Sequence, residues 1–120
     1  MSRLQRSLGF AWEGVLHVTA TQPNFRIHLV LALAACAAGF GLGIDRAEWA
    51  ALWLVIGLVL SLECMNTAVE ATIDSLGGPP SISAKRAKDA AAAAVLLGAL
   101  TSIAVGLAIF GPRLWVLLAS

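Results

Sequence analysis

Charge is scarce in this sequence. Only 12% of its 120 residues are charged, and lysine and arginine outnumber aspartate and glutamate by 8 to 7. A soluble domain of this size covers itself with polar side chains, and this chain has too few to do so. It also lacks a basic stripe to neutralise phosphates along a duplex, so nucleic-acid binding is not expected. Cysteine is scarce as well. Cys36 and Cys64 both lie in apolar segments, which excludes a disulfide framework and shows no metal-type spacing. No P-loop, kinase-type glycine loop, HExxH or nucleophile elbow is present. Arg3 and Arg6 look like the start of a signal peptide, but no unbroken apolar run or small-residue cleavage site follows.

Hydrocarbon is plentiful instead. Apolar residues make up 59% of the chain, and the mean hydropathy is +0.86. Three apolar stretches stand out: Ile27 to Ile44; Trp49 to Leu62, continuing less purely to Ile73; and Ala90 to Phe110. Each is close to the ~20 residues that cross a ~30 Å hydrocarbon core. The expected fold is all-α, a single polytopic membrane domain over residues 1–120, with spans near 25–44, 48–73 and 87–110. Residues 44–48 read as a tight turn. Residues 75–83 read as a Gly/Pro/Ser loop, followed by a charged turn from Ala84 to Asp89.

The first twenty residues follow another pattern. Leu4, Leu8, Ala11, Val15 and Val18 recur at three- and four-residue spacing, with Arg3, Arg6, Glu13 and His17 largely off that stripe. That spacing predicts an amphipathic helix over about 2–20, lying on the membrane surface. Thr21-Gln22-Pro23 should end it, and Pro23 can open the next helix.

Positive charge sets the expected orientation. Arg3, Arg6, Arg26, Lys85, Arg86 and Lys88 fall on one side, and only Arg46 and Arg113 on the other. The N-terminus and the second loop are expected in the cytoplasm and the C-terminus outside, with Trp49 and Trp115 at the outer interface. Small residues crowd the third span: Ala90 to Ala94, Gly98, Ala99, Ser102, Ala104 and Gly106. They let helix backbones approach closely in lipid. Three spans offer little interior for polar groups, so a homo-oligomer with sites near subunit interfaces is expected.

The chemistry gathers on the second span. Glu63, Asn66, Glu70 and Asp74 fall within an arc of roughly 80° on one helix face at ~100° per residue. With Trp49 at the outer interface, Glu63 lies about 21 Å further in and Glu70 about 31 Å. Glu63 is then within the hydrocarbon, and Glu70 is at its cytoplasmic edge. An acid at the bilayer centre costs about 2.5–3.5 kcal/mol on insertion scales, which makes function the default reading. The bland alternative is a polar helix contact or a snorkelling end cap. A partly dry carboxylate can serve as a general base, and one at the water boundary can hold Mg²⁺ with phosphate oxygens. Asn66 can orient either. Lys85 pairs with Asp89 at i,i+4. Arg86 reads as a membrane anchor; for Lys88 an anchoring and a phosphate-binding role both stand. His17 and His28 read as interfacial, and the Gly39, Gly41, Gly43 run as helix packing or a helix end.

The stretch Glu63-Cys64-Met65-Asn66-Thr67-Ala68-Val69-Glu70-Ala71-Thr72-Ile73-Asp74 resembles the E-x-x-N-[ST]-A-[IV]-E-x-x-x-D signature of the small prokaryotic diacylglycerol kinase family, which includes undecaprenol kinases. Ala84-Lys85-Arg86-Ala87-Lys88-Asp89 is similar to its A-K-x-A-K-D motif, and Thr21-Gln22-Pro23-Asn24-Phe25-Arg26-Ile27-His28 to its T-E-x-N-F-R-I-H segment. The resemblance covers nearly the whole chain. It implies a homotrimeric lipid kinase of the bacterial inner membrane, using ATP and Mg²⁺ on the cytoplasmic side to phosphorylate diacylglycerol or undecaprenol. By resemblance, Glu63 takes the lipid hydroxyl proton, Asn66 is an active-site polar residue, and Glu70 is a metal-binding carboxylate. Lys88 and Asp89 match nucleotide-contacting positions, and Arg3 and Phe10 fall near nucleotide-proximal ones. Two positions depart from the pattern. Gln22 stands where the family has its first metal-binding Glu, and an amide offers a neutral oxygen without charge, which implies weaker Mg²⁺ binding. Ser81 stands about where a His is common.

Two other functions fit the same residues. Gln22 admits a non-catalytic binding or assembly subunit. Intramembrane acids also line conducting pathways, which admits a small ion-conducting oligomer.

Overall fold

The computed structural model describes residues 1–120 as four helices joined by short connections: α1 (Arg3–Thr21), α2 (Pro23–Leu42), α3 (Arg46–Leu76) and α4 (Ile82–Ala119). Local chemistry accounts for each start and stop. Ser2 caps α1 reciprocally: its hydroxyl accepts from the Gln5 N–H, and its own N–H donates to the Gln5 amide oxygen. Gln22 is extended at φ −110°, ψ 106°, as expected of a residue before proline, and Pro23 opens α2. Arg26 then reaches back, donating to the carbonyls of Thr19 and Ala20 at 3.0 and 2.9 Å. Those carbonyls are orphans at the end of α1, so this arginine ties the two helices together.

The turn after α2 is tighter than residues 44–48 imply. Gly43 adopts φ +64° and closes α2, and Asp45 caps α3 together with Glu48. That capping box draws Arg46, Ala47 and Glu48 into the first turn of α3. Likewise Ser75 and Leu76 belong to α3, and the loop shrinks to residues 77–81, where Gly77 and Gly78 carry positive φ. The charged segment Ala84 to Asp89 is helical rather than a turn. The Ser81 hydroxyl accepts from the Ala84 N–H, and the Lys85–Asp89 pair spans the following turn. At the other end, α4 continues past Phe110 through Pro112 to Ala119.

Three helices, α2, α3 and α4, are long and apolar enough to cross a membrane. Their outward side chains are large and bare: Leu33, Leu54 and Leu107 are 71%, 74% and 67% exposed. In lipid such a surface is solvated rather than frustrated, so the chain needs little interior. Only 11 of 120 residues are buried. The core is a small cluster of Ile44, Leu52, Val55 and Ile109, with Trp49 and Phe110 packed against it. α3 packs most extensively on α4 and next on α2. Gly98 shows why small residues line α4: a Cβ there would stand 2.7 Å from Leu62 Cδ1. α3 is about 46 Å long at 1.5 Å per residue, more than a ~30 Å core requires. Its excess lies beyond the purely apolar run, in the turns that carry Glu70 and Asp74.

Candidate active site

Glu63 is the most enclosed polar residue of the chain, 2% exposed, midway along α3. Its neighbourhood does little to satisfy it. Thr67, one turn on, donates its hydroxyl to the Glu63 backbone carbonyl at 2.9 Å rather than to the carboxylate. Glu63 Oε1 has no hydrogen-bond partner, and neither does the buried Asn66 Oδ1. Two unpaired acceptors a turn apart are costly unless a donor arrives from outside the chain. The nearest basic group is His28 on α2, whose Nε2 lies 3.4 Å from Glu63 Oε1, an electrostatic contact without hydrogen-bond geometry.

Below Glu63 the face turns progressively wetter. Asn66 donates from Nδ2 to Glu70 Oε1 at 3.5 Å, both side chains being half-buried. Asp74, a turn further, is exposed and accepts from Lys88 Nζ at 2.5 Å. Lys88 also lies close enough to Glu70 to feel its charge. The first turns of α4 therefore set an ammonium against the acidic face of α3, while the neighbouring Asp89 is engaged by Lys85. Gln22 sits half-buried at the α1–α2 junction, where its amide donates to Thr21 Oγ1 at 3.3 Å. No three His, Cys, Asp or Glu side chains converge as a metal cage. Between α2, α3 and α4 runs an apolar groove lined by His28, Leu31, Val55, Val59, Ile103 and Phe110 among others, with a volume near 160 Å³.

The expected site residues are thus only partly gathered within one chain. Glu63 is buried, and Asn66, Glu70 and Lys88 are half-buried beyond it toward the exposed Asp74. Arg3 and Phe10 lie apart on α1: both are exposed, and the Arg3 side chain makes no ion pair or hydrogen bond. Two side chains beside Glu63 had no place in the expected set, Thr67 and His28. For His28 a signal existed, since an ionisable residue inside an apolar span is a functional candidate by default.

Residues 9–110 match the prokaryotic diacylglycerol kinase family. The chain belongs to that family. Its relatives include the undecaprenol kinase of Bacillus subtilis (strain 168), 39% identical over 114 residues that cover 95% of this chain and 93% of the relative. The diacylglycerol kinase of Synechocystis is 43% identical over 101 residues, 83% of this chain but 58% of that protein. The diacylglycerol kinase of Escherichia coli (strain K12) is 28% identical over 102 residues, 85% of this chain and 84% of the relative. The chain is accordingly a lipid kinase, and neither the assembly-subunit nor the ion-conducting reading is favoured.

Proposed function

We propose that this kinase transfers the γ-phosphoryl group of ATP to the primary hydroxyl of a membrane lipid, undecaprenol or diacylglycerol, at the cytoplasmic face of the bacterial inner membrane. The observation that carries the reading is Glu63: a carboxylate sealed from water, with one oxygen lacking any donor. A lipid hydroxyl entering beside it would supply that donor and find a base within reach. The O–H proton passes to Glu63 as the oxygen attacks the γ-phosphorus, and the bond to the ADP oxygen breaks. Asn66 orients the site through its hydrogen bond to Glu70, Lys88 meets the phosphates, and Asp89 contacts the nucleotide away from them.

Glu70 is suited to Mg²⁺. In kinase sites this ion rests on one or two carboxylates, water and substrate phosphates rather than on a protein cage. A single carboxylate at the water boundary, with the unpaired oxygen of Asn66 a turn away, fits that requirement; Gln22 would add a neutral oxygen at most. When bound, the ion neutralises charge on the β- and γ-phosphates. The apolar groove beside His28 suits part of the acceptor's hydrocarbon chain. We place the N-terminus in the cytoplasm and the C-terminus outside, with α1 on the membrane surface. The functional unit is a homotrimer, in which a neighbouring copy closes the open side of the site and brings Arg3 and Phe10 toward nucleotide.

The test is transfer of label from ATP with Mg²⁺ by purified protein, offered undecaprenol and diacylglycerol separately. Undecaprenol comes first because its kinase aligns nearly end to end with this chain. Labelled lipid that vanishes in Glu63→Gln supports the assignment and names the acceptor. No transfer to either lipid from folded protein would reject it.

A further inference from the structure

We propose that His28 is the proton exit of the Glu63 base. The inference rests on Glu63 accepting the lipid hydroxyl proton. Each turnover then leaves a protonated carboxyl in a place that water barely reaches, with the Glu63 side chain 3% exposed. The acid must return to its ionised form before the next lipid can react, and the proton needs a route.

Within 4 Å of the Glu63 carboxylate the chain offers one basic side chain, His28, with Nε2 3.4 Å from Oε1. The other polar neighbours are committed elsewhere. The Thr67 hydroxyl is spent on a backbone carbonyl, and Asn66 Nδ2 is turned toward Glu70. Lys88 holds Asp74 and Arg26 holds the end of α1. The His28 side chain is 21% exposed where it lines the groove, so it is the less enclosed of the two groups. It also sits five residues after Pro23, about 7.5 Å along α2 from its first residue, a short way from the headgroup region. An imidazole can take a proton on one nitrogen and release one from the other, which suits it to this position.

The steps balance without any further reactant. The lipid O–H proton moves to Glu63 as the O–P bond forms and the P–O bond to ADP breaks. Glu63 passes that proton to His28 Nε2, giving a carboxylate beside an imidazolium. The imidazolium loses a proton from Nδ1 to water, which leaves the Nε2–H tautomer; a ring flip, or tautomer exchange through water, returns Nε2 to its accepting form before the next turnover. His28 touches neither the reacting hydroxyl nor the phosphates in this scheme, although it lines the groove offered to the lipid chain; it acts through Glu63.

The experiment compares wild type with His28→Ala, His28→Gln and Glu63→Gln in lipid nanodiscs, each checked for an intact thermal unfolding transition. In His28→Ala, turnover at saturating ATP and lipid should fall by about a hundredfold, the low end of the range of acid–base contributions, with both KM values little changed. Added imidazole should restore turnover in His28→Ala. Pyrazole, of the same size but far less basic, should not. His28→Gln keeps a polar side chain of similar reach without basicity, and should be as slow as His28→Ala; it carries the test if the alanine variant unfolds. Wild-type turnover in His28→Gln, or equal rescue by pyrazole, would overturn the proposal by showing that His28 only fills or orients. Full activity in His28→Ala, with Glu63→Gln dead, would overturn it while leaving Glu63 as the base. An active Glu63→Gln would remove both.

Discussion

Arg113 grips Glu48 with both terminal nitrogens, each 2.7 Å from a carboxylate oxygen, and so fastens the start of α3 to the far part of α4. Glu48 does double duty: Oε2 also accepts from the Asp45 N–H at 2.9 Å and so completes the α3 capping box. Arg113 in turn donates to the Ile109 carbonyl at 2.8 Å. Parallel hydrogen bonds between a guanidinium and a carboxylate are stronger and more directional than a simple ion pair. Arg113→Ala should lower the Tm in detergent by a few degrees. Glu48→Ala should lower it further, since it loses the cap as well. Losses in the double variant should be less than additive, as expected for partners in contact. Phosphorylation activity in native membranes should stay near wild type, because the clamp lies at the opposite end of α3 from Glu70. Thermal unfolding of the four proteins checks the first three statements, and a membrane assay the last.

Two glycines are expected to respond differently to the same added methyl group. A Cβ on Gly39 would stand 2.9 Å from Trp49 Cη2 and 3.0 Å from Ile44 Cδ1. The indole is a rigid plate held against Phe40 at a centroid distance of 4.9 Å, so it has little freedom to retreat. A Cβ on Gly98 would meet Leu62 Cδ1 at 2.7 Å, but that is the tip of a flexible side chain. Gly39→Ala should therefore cost about 1–3 kcal/mol, the range for overpacking. Gly98→Ala should cost less, and Gly98→Val, which cannot be met by a rotamer change alone, should cost as much as Gly39→Ala. Denaturation of the three variants in one detergent decides it.

Much of this architecture is legible in the sequence because it is set locally. Proline at 23 after Gln22 dictates a helix boundary whatever the rest of the chain does, and apolar runs of span length mark α2, α3 and α4. The face shared by Glu63, Asn66 and Glu70 follows from helical spacing. Features that depend on reciprocal side-chain bonds are harder to read. Asp45 and Glu48 look like turn residues until one sees them cap each other, and Ala84 to Asp89 look like a charged turn until Ser81 supplies a cap. Past Phe110, a proline suggests an ending. Yet α4 runs on through it, and just beyond it Arg113 donates to the Ile109 carbonyl while held by Glu48 on another helix. The meeting of His28 with Glu63 is harder still. It is made by α2 crossing α3, and no local pattern encodes which residues face each other there.

Lys88 is held by an acid that is not expected to touch substrate. Its ammonium lies 2.5 Å from Asp74, whose side chain is 67% exposed. In the proposed site, phosphate must compete with Asp74 for the lysine while that pair persists. Asp74→Asn should therefore free Lys88 and lower the KM for ATP severalfold, with turnover little changed. Lys88→Ala should raise the KM by about tenfold, in line with losing one charged hydrogen bond of about 1.5 kcal/mol. In the double variant the benefit of Asp74→Asn should disappear, since there is no lysine left to release. Initial rates across ATP concentration, at fixed lipid and Mg²⁺, test all three. A raised KM in Asp74→Asn would mean that the pair positions Lys88 for nucleotide rather than restraining it.

The proposed metal site turns on Gln22, which stands where the motif that this chain resembles carries a glutamate. Its amide is placed at the extended junction between α1 and α2, half-buried, and spends its N–H on Thr21 Oγ1. No charged group is paired with it, so a carboxylate of the same length forfeits only the hydrogen bond to Thr21 Oγ1. Mg²⁺ prefers charged oxygen ligands and gives up water reluctantly. In the proposed site, with glutamine at 22, Glu70 would be the chain's principal anionic ligand for the ion, and the phosphates would supply most of the remaining attraction. Gln22→Glu should lower the Mg²⁺ concentration for half-maximal activity by about tenfold, equivalent to about 1.4 kcal/mol of added affinity. Glu70→Gln should move it in the opposite direction. Restoring one carboxylate while removing the other, in Gln22→Glu with Glu70→Gln, should bring the requirement back toward wild type if both oxygens meet the same ion. Mn²⁺ binding followed by electron paramagnetic resonance, with ATP present, reads the same order without depending on turnover. Gln22→Glu with an unchanged metal requirement by both measures would show that residue 22 lies outside the ion's reach and that Glu70 holds it with phosphate and water alone.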